Sequence, residues 1–284
     1  MAFEIRPVRV EDIESITAWT RDTFDWGDYV PSALPDWLAD DTSLVMACVG
    51  EDDIPVAVSR AQMLTPSEAW LSGARVHPDH RRSGMGIAMN DHGVEWARQR
   101  GAKVVRLVTE SGNEMARGQV EKSGYRQIGD WLYGVAEPAV GRHPRPDDRL
   151  RIAGSADADA AWMFWSQSDI ARQGRDLMAG GWRWRKGRRG DLDEAIQARS
   201  FYGCRGGWVI SHRVEGAMET VWIATTPTDT PLILLGLRHL ARDQEIDQVR
   251  VFVPDSPWMA EALNREQFES RPVVIYSKAL SAVR

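Results

Sequence analysis

The chain repeats itself at a spacing of about 145 residues, and no other feature limits its fold as tightly. Ile5 to Asp12 leads into an amphipathic run carrying Ile13, Ile16 and Trp19. Leu150 to Asp157 leads into a similar run carrying Ala161, Phe164 and Trp165. Val104 to Val108 is followed by a turn and Met115-Ala116, and Val249 to Val253 by a turn and Met259-Ala260. Repetition at that distance means two copies of one folding unit, each large enough to bury its own core. The polar run 142–148, with Pro144 and Pro146, reads as the linker, so the expected domains are 1–141 and 149–284.

Within the first copy, a short strand to Val8 precedes a helix from about Val10 to Thr23 and a turn-rich aromatic and acidic segment, Asp25 to Asp41. Strand patterns follow at Leu44 to Val49, Pro55 to Met63 and Trp70 to Val76. A helix then runs from about Gly86 to Arg100 with Gly101 as its stop, and strand 103–109, helix 113–122 and strand 126–135 complete the copy. This order predicts an α/β (α+β) class.

Composition narrows the function. With 43% hydrophobic and 27% charged residues, the chain is neither a disordered tail nor a small disulfide scaffold. Its longest apolar stretch, Pro231 to Leu237, falls far short of the ~20 residues of a membrane span, and the first residues lack a signal pattern, so a cytoplasmic protein is expected. Cys48 and Cys204 suit a reducing compartment, although they are also able to pair.

Chemistry concentrates in Val76-His77-Pro78-Asp79-His80-Arg81-Arg82-Ser83-Gly84-Met85-Gly86, between a strand and a helix. Glycines there admit positive φ or close approach of a ligand to backbone, and the following helix offers unpaired N–H groups and the positive end of its dipole. Such a turn cradles a pyrophosphate. The dinucleotide fingerprint is excluded by Met89 at its third glycine, and no Walker Gly-Lys-Ser/Thr occurs.

This run, with Asn113-x-x-Ala116 and Glu121-Lys122-x-Gly124-Tyr125 after the next strand, resembles the GCN5-related N-acetyltransferases (GNAT). The resemblance covers about 50 contiguous residues. It implies two tandem GNAT-like units, each a mixed, mostly antiparallel sheet flanked by helices. It also implies direct transfer of acetyl from acetyl-CoA to a primary amine, without a metal. Backbone N–H groups of Arg81, Arg82, Ser83, Gly84, Met85 and Gly86 would then hold the coenzyme's pyrophosphate. The strand ending at Val76 would pair with pantetheine, with Asn113 and Ala116 beside that arm.

Amine attack needs an unprotonated nucleophile and a stabilised leaving thiolate. Strand alternation puts Glu68, Trp70, Ser72 and Ala74 on one face, where only Glu68 is a competent base, with Ser72 beside it and Glu110 as the second candidate. The position matching the family's tyrosine acid is Val120, and Tyr125 reads as core. Catalysis then rests on proximity or on an acid from elsewhere.

In the second copy the matching strand ends at Thr226-Pro227, and Thr228-Asp229-Thr230-Pro231 follows with no arginine and no Gly-x-Gly. That copy is expected to lack the cradle and to serve as a buttress or as part of the acceptor pocket. Trp182 to Arg189, rich in arginine and tryptophan, admits a nucleic-acid reading. A pI near 5.6 favours a solvated surface loop, and a lid is the third reading.

Residues 1–142 hold 22 acidic and 15 basic side chains, whereas 143–284 hold 19 and 20. The acidic excess clusters at Asp22, Asp25, Asp28, Asp36, Asp40 and Asp41, among Phe24, Trp26, Tyr29 and Trp37. Carboxylates and aromatics in that pattern attract a cationic amine, so Trp26, Tyr29, Trp37 and Trp70 are the expected acceptor contacts of a small-molecule or peptide amine. A monomer or homodimer is expected. The competing readings are a non-catalytic acyl-CoA sensor and a mycothiol-synthase-like or antibiotic-modifying acetyltransferase.

Overall fold

The computed structural model describes residues 3–21, 23, 27–141 and 144–281. They form two compact units, one of residues 1–107, 113–127 and 276–284, the other of 108–112 and 128–275. The chain enters each unit more than once, so the units do not divide at the polar run 142–148 that the sequence marks as a linker.

In unit 1 the chain order is β1 (Glu4–Pro7), α1 (Asp12–Thr20), α2 (Val30–Ala39), β2 (Ser43–Val49), β3 (Pro55–Thr65), β4 (Glu68–Val76), α3 (Met85–Gln99), β5 (Val104–Glu110) and α4 (Glu114–Lys122), with β6 (Arg126–Ala136) leading into unit 2. Strands β1 to β4 pair antiparallel in sequence order, and β4 pairs parallel with β5. One sheet face carries Val45, Ala47, Val49 and Val58 against Ile16, Val30, Leu34 and Trp37 of α1 and α2. The other carries Met46, Ala61 and Leu71, which leave room only for Gly93 of α3. Period-two alternation of apolar residues produces this two-sided burial.

The segment read as turn-rich contains α2. Pro31 falls in its first turn, where no amide donor is needed, whereas Pro35 sits inside the helix and forfeits one bond. Arg6, buried, fastens the entry to α1 by bonding Asp12 at 2.7 Å and Asp53 at 2.6 Å.

Unit 2 continues with β7 (Arg151–Ile152), α5 (Ser155–Ser166), α6 (Asp169–Gln173), β8 (Leu177–Gly180), β9 (Arg183–Lys186), α7 (Arg189–Gln197), β10 (Phe201–Cys204), β11 (Gly207–Val214), β12 (Ala217–Thr225), α8 (Thr230–Asp243), β13 (Gln248–Pro254), α9 (Pro257–Arg265) and β14 (Glu269–Ala279). Its strand order is β14-β6-β13-β12-β11-β10-β7; β12 and β13 pair parallel, and the pairs β6–β13, β12–β11, β11–β10 and β10–β7 are antiparallel. Trp165, Phe201 and Trp222 pack with Leu192, Leu234 and Leu263 in its core. Each unit thus holds a parallel pair in a mixed, mostly antiparallel sheet flanked by helices, as the family resemblance implies. Among the described residues no helix is long and apolar enough to cross a membrane.

Candidate active site

The glycine turn lies where β4 delivers the chain to α3. Val76 still pairs with Ala57 of β3, and His77 N–H donates to Val56 O at 2.8 Å. Pro78–His80 forms one 3-10 turn, closed when Arg81 N–H donates to Pro78 O at 3.3 Å. The Arg81 amide is therefore spent on the turn, and donors for a ligand begin beyond it. Arg82 and Gly84 adopt φ of 64° and 84°, in the left-handed region. Ser83 Oγ donates to His80 O at 2.5 Å, which fixes the turn from inside.

Gly84 is the N-cap of α3. It supplies no side-chain cap, no acidic residue occupies the first turn, and a Cβ at Gly84 would meet nothing within 4 Å. The first intrahelical bond runs from Ala88 N–H to Gly84 O at 3.0 Å. Met85, Gly86 and Ile87 therefore present first-turn amides without intrahelical partners, next to the positive end of a 15-residue helix. Arg81 and Arg82 are exposed and, among the described residues, no ion-pair partner is seen for either. Gly86 lets the Gln119 carboxamide of α4 approach, because a Cβ there would lie 2.8 Å from Gln119 Nε2.

The corresponding helix of unit 2 starts differently. Asp229 N-caps α8, Thr226 Oγ1 donates to its Oδ2 at 2.9 Å, and Pro231 removes an amide from the first turn. Asp229 makes no side-chain cap bond to α8, yet its charge at the N-cap residue disfavours a second anion there.

The β4–β5 ladder holds for Glu68↔Val104, Ala69↔Val105 and Trp70↔Arg106 and then stops. From Leu71 to Val76, β4 is paired with β3 and has no β5 partner. A long strand end with one free hydrogen-bonding edge thus leads into an open helix N-terminus. The acetyltransferase (GNAT) family model matches residues 13–125, which contain both features. The chain carries a GNAT acetyltransferase domain. Among solved structures, a GCN5-related N-acetyltransferase from Sphaerobacter thermophilus shares the fold at 14% identity, with a TM-score of 0.70 over 99% of this chain and 97% of that one. A second, from Kribbella flavida, is 15% identical, with a TM-score of 0.50 over 96% and 71%. The glucosamine N-acetyltransferase region of a fungal multi-domain GH3 β-N-acetylglucosaminidase is 10% identical, with a TM-score of 0.69 over 98% of this chain and 38% of that one. No curated protein matches the sequence significantly.

In this GNAT domain Glu68 is buried, and its Oε1 accepts a hydrogen bond from Arg106 Nη2 at 2.9 Å. Ser72 is half-buried opposite Arg60. Ala74 departs from the expected face. Gly73, at φ 66°, inserts a bulge, so Arg60↔Ser72 is followed by Val58↔Arg75 and the face of Ser72 continues through Arg75. Glu110 belongs to unit 2, where its Oε1 accepts from Arg271 Nη1 at 3.2 Å. Asn113 caps α4 through Oδ1, which accepts from Ala116 N–H at 3.1 Å, so the Ala116 amide is not available to a ligand. Tyr125 is buried with its hydroxyl donating to Asn90 at 3.1 Å, and burial pushes its ionisation well up.

The acceptor candidates separate by exposure. Trp26 lies outside the described residues. Trp70 has 1% of its surface exposed, so the expectation that it touches an acceptor does not fit: its ring is core. Trp37, 8% exposed, lies over Gly73 and under the Arg60 guanidinium. Tyr29 is exposed, with Arg75 over its ring at 5.4 Å.

The acidic segment does not present free carboxylates throughout. Asp28 binds Arg75 at 2.6 Å, and Asp40 pairs with Arg60 and accepts from Gln62 at 2.9 Å. Burial opposes ionisation of Asp40, but bonds from Thr42 and Arg60 outweigh it and hold the carboxyl below its ordinary range. Local sequence missed these pairs because their partners lie 47 and 20 residues away on β4 and β3. Among the described residues no cluster of three or more His, Cys, Asp or Glu is placed to hold a metal.

Proposed function

We propose that the GNAT domain transfers an acetyl group from acetyl-CoA to a primary amine by direct attack. The observation that carries the reading is the contrast between α3, which starts at Gly84 with no acidic residue in its first turn, and α8, which has the charged Asp229 at its N-cap and Pro231 in place of a first-turn amide donor. The amides of Met85, Gly86 and Ile87 hold the pyrophosphate, and the Arg81 and Arg82 guanidiniums neutralise its charge. The free edge of β4 from Leu71 to Val76 takes the pantetheine amides, with the Asn113 carboxamide beside them. Bound there, acetyl-CoA supplies the activated acyl group.

What the chain contributes to the chemical step is mainly orientation, worth ~7 to 11 kcal/mol in favourable cases. Glu68, the expected base, shares its proton-accepting edge with Arg106, so in this reading the attacking amine arrives neutral from solution or loses its proton through water. Val120 offers no acid, and the thiolate is protonated by solvent. The second sequence repeat acts as a scaffold without a coenzyme site of its own.

The neutralised Asp28 and Asp40 remove the main reason to favour a cationic acceptor, so small-molecule and peptide amines stand equal. A second reading, an acyl-CoA sensor, is favoured by Val120 and by the engagement of Tyr125 with Asn90. Thiol release from acetyl-CoA in the presence of an amine panel, including glucosamine and N-terminal peptides, separates the two. Turnover with at least one amine supports transfer. Stoichiometric binding with no thiol release across the panel supports the sensor.

A further inference from the structure

The tryptophan- and arginine-rich run 182–189 forms a built surface in unit 2. Gly180 pairs with Arg183, so β8 and β9 are joined by the two-residue turn Gly181-Trp182, with φ of 55° and 60°. Such a turn favours glycine or asparagine, because a bulky residue is strained in the left-handed region. The strained backbone of Trp182 is held in place by the contacts of its ring. The turn is fastened from below by Glu219 of β12, a buried carboxylate whose Oε1 accepts from Gly181 N–H at 2.5 Å.

The Trp182 ring lies 4.7 Å from Tyr133 and 5.2 Å from Phe252, centroid to centroid. The Arg271 guanidinium sits over both Trp182, at 5.1 Å, and Tyr133, at 5.3 Å. Phe252 and Tyr133 face each other across the β13–β6 ladder, and Arg250, two residues before Phe252, points to the same side. Arg250 and Arg271 both act on the Tyr133 hydroxyl, favouring its ionisation against the effect of burial. Four further charges of the run are paired within the unit: Arg185 with Asp191 at 2.8 Å, Lys186 with Asp176 at 2.9 Å, Arg188 with Asp191 at 3.2 Å, and Arg189 with Asp159 and Asp193.

We propose that Arg271, held between Tyr133 and Trp182 and supported by Arg250, is the anchor of a binding site for a small carboxylate with a flat apolar body. Stacking orients the planar guanidinium while leaving its donor edge outward, the arrangement that reads a carboxylate through two parallel bonds. Glu110 shows where that group sits. Its single contact with Arg271, at 3.2 Å between two half-exposed side chains, is a weak internal placeholder that a ligand carboxylate displaces. The half-buried rings of Trp182 and Tyr133 supply the apolar walls. The site needs no coenzyme, so it stands or falls apart from the acetyltransferase reading.

Ligand-observed NMR on the full chain, without acetyl-CoA, tests it with benzoate as the probe against benzamide, benzylamine and inorganic phosphate. Benzoate is expected to bind in preference to the other three. Arg271→Met should weaken it about tenfold or more, and Arg271→Lys should recover only part, since an ammonium lacks the planar fork. Glu110→Gln should tighten benzoate several-fold, a gain that a damaged fold would not produce. Benzoate binding no better than benzamide, a preference for phosphate, or equal affinity in Arg271→Met overturns the proposal, as does weaker binding in Glu110→Gln.

Discussion

Arg106 of β5 stands level with Trp70 in the parallel ladder, yet its guanidinium reaches diagonally to Glu68, two pairs earlier on β4, at 2.9 Å. Both side chains are buried. The pair spans the three-residue ladder from its first pair to its last, so its first role is to hold β4 and β5 together there. Removing one member leaves an uncompensated charge. Glu68→Ala and Arg106→Ala should each cost ~3 to 5 kcal/mol in urea unfolding, and the double variant should cost clearly less than their sum. Because Glu68 is held this way, Glu68→Gln should leave the pH profile of kcat/KM unshifted. A lost limb in that profile would restore Glu68 as the base.

Gly73 makes the β4 bulge at φ 66°, and a Cβ there would lie 2.5 Å from Cη2 of Trp37. Gly73→Ala combines a left-handed strain of ~1 to 2 kcal/mol with a clash against a buried ring. A loss above about 2 kcal/mol is expected in denaturant titration. Trp37→Leu in the same chain should return part of it, because only the clash is relieved.

Burial raises the Glu219 carboxyl above its ordinary range, despite the Gly181 amide and the nearby Arg250 and Arg183. A carboxyl raised on folding binds more protons in the native state than in the unfolded one, so its effect on stability is most favourable in acid. That benefit is lost as pH rises from the unfolded value through the folded one. Glu219→Gln keeps an acceptor for Gly181 without a charge. It should gain stability over the parent at neutral pH, with the gain shrinking as pH falls through the raised folded value and gone by about pH 4. Thermal unfolding of both chains between acid and neutral pH reads the difference directly.

Cys48 is buried in β2, where burial pushes its thiol up to about 11, and the Cys204 thiol is also raised. Neither should react readily with a thiol-disulfide reagent at pH 8 in the native state, and both should react on unfolding. Fast labelling of Cys48 in the folded chain would show that β2 opens.

Much of this architecture is legible in the sequence because it is local. The Gly84 cap, the α3 start at Met85 and the Asn113 cap follow from residue types whose backbone or side chain does one thing well. The mixed sheet that the resemblance implies for each unit has its parallel pairs at Glu68↔Val104 and at Ala217↔Gln248. What escapes is long-range or hidden by a local exception. Pro31 and Pro35 disguise α2 as a loop, and the Gly73 bulge inverts the facing of Ala74. The partners of Asp28 and Asp40 lie on distant strands. The Trp182 turn breaks the residue preferences of a hairpin, so no pattern rule finds it.

The central claim is that the first turn of α3 is an anion site and that of α8, with Asp229 at its N-cap and Pro231 in place of an amide donor, is not. Isothermal titration of coenzyme A into the parent chain and Gly84→Asp tests it most directly, since the substitution gives α3 the internal carboxylate that α8 has in Asp229. One coenzyme A per chain is expected, with affinity falling about tenfold or more in Gly84→Asp while the fold persists. Two sites per chain, or affinities within about twofold of each other, would contradict it.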